Sequence, residues 1–223
     1  MCALRLLKLS LLLAAVLGTG CVSNQPGYDY TAFRRAQPRS ILVLPPLNKS
    51  PDIKASNSVM SYVSYPLAES GYYVYPVTVV DETFRQNGLT LPEEIHTVTH
   101  TKLREIFGAD TVMYIEITDY GTRYRVISSD TRVTATGRLI DLRSGDTLWV
   151  GSATASTSEN QSSGGGGIVG VLVKAAIDQI VNTLSDQGHR IAGTTSQRLL
   201  SARPNGILYG PRSPLYGLEP SPK

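Results

Sequence analysis

At 223 residues and 41% apolar content, the chain is sized for one domain with tails and has enough apolar material for a core. Lys and Arg total 21 against 18 Asp and Glu, and no basic run exceeds Arg34-Arg35, so charge gives nucleic-acid binding no support. Twenty glycines and 13 prolines point to long connections between elements.

Residues 1–20 form an export signal. Arg5 and Lys8 give a positive start, and Leu9 to Leu17 is apolar except for Ser10. That run is too short to span a bilayer, which takes about 20 apolar residues. The window "LGTGC" then resembles a bacterial lipobox, in which the cysteine thiol is acylated and the chain is cut before it. The pattern usually has leucine three residues before the cysteine. Gly18 holds that place here and Leu17 lies one further back. Cys21 is the expected lipid attachment, and Cys2 falls in the signal, so the mature body has no cysteine for a disulfide or a thiolate metal site. In the lipoproteins this window resembles, a second mature residue other than aspartate, here Val22, implies transfer to the outer membrane.

Residues 21–39 are polar with two prolines and are expected to be a tether. "ILVL" (41–44) is apolar on both faces, which suggests a doubly covered strand ended by Pro45-Pro46. A helix is predicted over 55–70, kinked at Pro66 and closed by Gly71. The aromatic and β-branched content of "YYVYPVTVV" (72–80) predicts a strand, followed by a short polar helix at 81–87. Thr90 and Glu93 predict a capping box for one helix through 93–107, with Pro92 in its first turn and Gly108 at its end.

"TVMYIEITDY" (111–120) alternates, with Met113, Ile115 and Ile117 on one face. Val133, Ala135, Gly137 and Leu139 share a face of the next strand, "DLRSGD" (141–146) turns the chain, and 148–155 returns antiparallel. A glycine-rich link then leads to an amphipathic helix of about 20 residues. The fold class expected from this order is α/β, a single mixed sheet packed with helices across 40–200. An extended Pro/Gly/Tyr-rich tail follows at 201–223.

Chemistry-bearing patterns are few. Gly165, Gly167 and Gly170 satisfy G-x-G-x-x-G, but the ten residues before them are polar rather than a buried strand. Val171 stands where a Walker lysine must be. The glycines therefore read as a geometric link, and no cofactor is expected. His96 and His100 lie four apart, yet Thr97 occupies the place of a metalloprotease glutamate, which favours a polar helix face. No nucleophile elbow is present. The chain is not expected to be an enzyme.

"FGADTVMYIEI" and "RLIDLRSGDTLWVGSA" resemble lipoproteins whose domain is akin to the TolB N-terminal domain and the periplasmic domain of the curli secretion lipoprotein CsgG. The matching features are Gly108-Ala109-Asp110 before a strand and Asp141, Gly145 and Trp149 in the hairpin. The whole chain, tail included, resembles the genome-derived neisserial antigen family of outer-membrane lipoproteins, a domain of unknown function. The resemblance implies fold and location, and its matched residues are structural. The expected function is a lipid-anchored outer-membrane accessory, on the periplasmic or surface side, that binds an envelope protein in transport or assembly. Its expected partners are the membrane, through Cys21, and a second copy. Ile168, Val169, Val171 and Leu172 after the glycines, and Leu208, Tyr209, Leu215 and Tyr216 in the tail, are the interface candidates. The alternative is a secretion pore of the curli-channel type, which the polar outward set Arg132, Thr134, Thr136 and Arg138 opposes; an envelope enzyme ranks below both.

Overall fold

The computed structural model describes residues 28–124, 129–159, 186–203 and 206–218. Its elements are α1 (Thr31–Ala36), β1 (Ser40–Val43), β2 (Leu47–Asn48), α2 (Ala55–Met60), α3 (Ser64–Glu69), β3 (Tyr73–Val74), α4 (Val77–Gln86), α5 (Pro92–Ile95), α6 (His100–Phe107), β4 (Thr111–Tyr124), β5 (Ser129–Asp141), β6 (Thr147–Ser156) and α7 (Gln187–Leu200). The strands form one mixed sheet in the order β3-β1-β4-β5-β6, with β2 pairing on β4. β1 runs parallel to both neighbours, with Ile41 opposite Val74 and Leu42 opposite Val112. β4, β5 and β6 form an antiparallel meander with Met113 opposite Leu139 and Leu139 opposite Trp149.

The continuous apolar run of β1 is explained by two cores. Ile41 and Val43 point into a cluster under α2, α3 and α7, while Leu42 and Leu44 point into a second cluster under α4, α5 and α6. All four are fully buried. Alternation along β4 and β5 puts Met113, Ile115, Ile117, Val133, Ala135 and Leu139 in the first cluster. Trp149 is buried in it, seated so closely over Gly151 that a Cβ there would collide with the indole. α7 packs on this face, with Asp186 as its N-cap accepting from the amide of His189. Gly108 ends α6 with φ 67° and Gly145 turns the β5–β6 hairpin with φ 78°, as their positions predict.

Several elements differ from expectation for local reasons. The helix predicted over 55–70 is two helices, because Pro66 has no N–H for the Tyr62 carbonyl and its ring crowds that turn. Only Tyr73 and Val74 of 72–80 are strand. Pro76 precedes the first turn of α4, which buries Val80 and Phe84 four apart. The Thr90–Glu93 capping box does not form: the helix starts at Pro92, so its N-cap is Leu91, held extended as the residue before a proline. The run Thr97-Val98-Thr99 then breaks the helix. Thr97 bonds back to the Glu94 carbonyl, and Thr99 caps α6 by accepting from Lys102. The expected tether is structured from residue 28, where α1 sends Phe33 into the first core beside Tyr30.

Candidate docking surface

The tail is built onto its own domain before it can offer a surface to another. After α7 the chain makes a parallel bridge between Ala202 and Ile207, and Ile207 is fully buried. The hydroxyl of Tyr30 donates to the Gly206 carbonyl, and that of Tyr72 donates to the Leu208 carbonyl at 2.6 Å. Burial raises the Tyr72 phenol far above its ordinary range, so it stays a neutral donor. Backbone bonds continue the docking, from Gly210 N to Ser70 O and from Arg212 N to Gly71 O. Gly71 permits the contact twice over. Its φ is 95°, and a Cβ there would lie 2.8 Å from the Gly210 carbonyl oxygen.

Between this strap and α1 lies an open cleft of about 320 Å³. Phe33, Tyr72, Leu208, Tyr209, Tyr216 and Leu218 supply aromatic and apolar walls, and Arg34 lines one side. Of these, Tyr216 and Leu218 remain 47% and 63% exposed, and their chain neighbour Leu215 is 43% exposed. Beside them Tyr73 carries the Arg212 guanidinium over its ring at 5.4 Å. Rigid tyrosine rings with an arginine nearby suit capture of an apolar or aromatic anchor from another molecule.

Of the predicted interface residues, Leu208, Tyr209 and Tyr216 meet in this cleft, and Leu215 is exposed but does not line it. Ile168, Val169, Val171 and Leu172 lie outside the described residues, as does Cys21. Sequence reasoning missed Tyr30, Phe33 and Tyr72. The signal for Tyr30 and Phe33 is the aromatic spacing Tyr28, Tyr30, Phe33 inside a segment whose polar composition reads as tether.

The histidine pair separates. His96 is half-buried, with Nε2 2.8 Å from the Pro45 carbonyl and its ring edge-on to Tyr114. The ring of His100 lies against Gly145 in the hairpin turn. Among the described residues there is no group of three side chains that could hold a metal ion, and no helix is long and apolar enough to cross a membrane.

Comparison with known proteins decides the family. Residues 28–212 match the family model described as "Putative lipoprotein GNA1162-like". The chain belongs to this family. It is 48% identical over 203 residues to the "Putative lipoprotein NMB1124/NMB1162" of Neisseria meningitidis serogroup B, covering 90% of this chain and 94% of that one. It is similar to the crystal structure of lipoprotein GNA1162 from Neisseria meningitidis, with TM-score 0.53 and 49% identity over 65% of this chain and 99% of that chain. The mixed α/β sheet with its packed helices matches that structure. Membership places the chain among lipoproteins, which are held at a membrane by lipid.

Proposed function

We propose that the protein is anchored to the outer membrane through acylated Cys21 and acts as a protein-binding accessory in envelope transport or assembly. The observation that carries the protein-binding part is the cleft between α1 and the tail, whose lining leaves Tyr216 and Leu218 in solvent. Its occupant is an apolar segment of an envelope protein, with a second copy of the chain as the symmetric case. The anchoring part is supported by family membership and by the "LGTGC" window. Tyr28 is the seventh residue after Cys21, a reach of at most about 25 Å. α1 and the cleft therefore stay close to the bilayer. β4 and β5 are long enough to cross a membrane as a hairpin, but Arg132 and Arg138 on the outward face disfavour contact with lipid and so favour the accessory over the pore.

Cell fractionation with mass spectrometry tests the anchor. The mature protein is expected in the outer-membrane fraction with acyl mass on Cys21, and Cys21→Ala in the soluble fraction or as uncut precursor. Membrane association of Cys21→Ala, together with an unmodified Cys21 in the wild type, would remove the anchor.

A further inference from the structure

A second cleft lies on the opposite face of the sheet from Trp149, away from the tail. It holds about 240 Å³ and is open to solvent beyond the edge of α5. Leu47 and Val150 form its apolar walls, while Tyr114, Glu116, Thr136 and Arg138 point into it from β4 and β5. Register fixes their arrangement: Tyr114 is opposite Arg138, and Glu116 is opposite Thr136. Glu116 and Arg138 are therefore diagonal neighbours on one face, about 7–8 Å apart at the backbone.

Opposite charges so placed ordinarily close on each other. Here they do not. The Arg138 guanidinium sits over the Tyr114 ring, 5.3 Å from its centroid. Among the described residues neither Arg138 nor Glu116 makes an ion pair, and the Tyr114 hydroxyl has no hydrogen-bond partner. His96 closes one side with Nε2–H donating to the Pro45 carbonyl, which leaves Nδ1 as an acceptor. The cleft thus presents a cation over the Tyr114 ring, an anion, and the hydroxyls of Tyr114 and Thr136 between apolar walls.

We propose that this cleft binds a zwitterionic amino-acid head, its carboxylate on Arg138 and its ammonium on Glu116. An amino acid carries an ammonium and a carboxylate on one carbon, and each makes a charge-assisted hydrogen bond of about 2.8 Å with an opposite charge. The volume suits a single amino-acid unit, and Leu47 and Val150 suit a small apolar side chain. The solvent-open mouth allows that unit to be free or to end a longer chain. In the envelope, the free amino-acid end of a cell-wall stem peptide has this chemistry. That source rests on the location proposed above, whereas binding of a free amino acid does not.

Isothermal titration of the full chain in detergent micelles tests the site, with L- and D-alanine and a soluble stem peptide ending in diaminopimelate as probes. Saturable binding of alanine or of the peptide is expected. It should weaken at least about tenfold, the loss of one charge-assisted hydrogen bond, in Arg138→Met and in Glu116→Gln, and stay unchanged in Arg104→Met on α6. N-acetylalanine and alaninamide, each lacking one charge, should show the same loss. Binding of the peptide alone would assign the site to the cell wall; binding of free alanine as well would assign it to the amino-acid head itself. Absence of heat with every probe at millimolar concentration overturns the proposal, as does N-acetylalanine binding as tightly as alanine. Neither result bears on fractionation of Cys21→Ala.

Discussion

Gly71 and Gly88 separate backbone strain from tail docking. Both have positive φ, 95° and 81°, but only Gly71 has neighbours within reach of a Cβ, and those neighbours belong to the tail. Gly88→Ala is expected to lower stability by about 1–2 kcal/mol, the cost of left-handed backbone for a residue with a Cβ. Gly71→Ala adds the collision with Gly210 and Ser213 and should cost about 2–4 kcal/mol. Urea midpoints measure both, and equal losses would mean that the tail does not press on Gly71. His96 sets a pH dependence. Burial, the largest cause, holds its imidazole below the ordinary value, with Arg138 acting in the same direction. The bond to Pro45 and the charges of Glu93 and Glu116 oppose them. The unfolded chain, with a histidine near about 6.5, therefore takes up a proton at higher pH than the folded one. The resulting stability is complete above that value and is lost as pH falls through the folded pKa. His96→Gln keeps a donor for Pro45 and cannot titrate. Its urea midpoint should fall less than that of the wild type between pH 7 and pH 5, and an identical fall would rule out this role.

At the scale of elements, the caps decide which helices are real. Thr99→Ala should destabilise the protein by about 1 kcal/mol, because it removes the acceptor for Lys102, while Thr90→Ala should be near neutral. Thermal melts of the two variants test whether one helix or two span this region. The same segment shows what could be predicted from sequence. Strands whose faces have a clean period of two, such as 111–120 and Val133 to Leu139, were predicted correctly, and so were Gly108, Gly145 and Trp149. Their local pattern and their tertiary setting agree. The errors fell where one residue overrides its surroundings. Pro66 and Pro92 reset helix ends, and Pro76 turns a β-rich run into α4. The cleft was partly visible. Leu208, Tyr209 and Tyr216 stand out as apolar groups on a stiff backbone, but Phe33 and Tyr72 complete the site from about 175 and 136 residues before Leu208, a long-range pairing that no periodicity encodes.

For the molecule as a whole, the tail is both part of the core and the edge of the proposed surface. Deleting 204–223 would remove Ile207 from the core and leave the Tyr30 and Tyr72 hydroxyls without their carbonyl partners. The expected loss is about 3–5 kcal/mol, so truncation reports on folding rather than on docking. Surface changes at the rim avoid that difficulty. Tyr216→Asp and Leu218→Asp should leave the unfolding free energy from urea titration within about 0.5 kcal/mol of wild type. The most direct test of protein docking through this cleft is photo-crosslinking in intact cells, with a photoreactive residue at position 216 of the full-length chain and, as control, at position 105 on α6. The account predicts a discrete protein adduct from position 216 that disappears with Leu218→Asp, and none from position 105. No adduct from 216, or the same adducts from both positions, would contradict it.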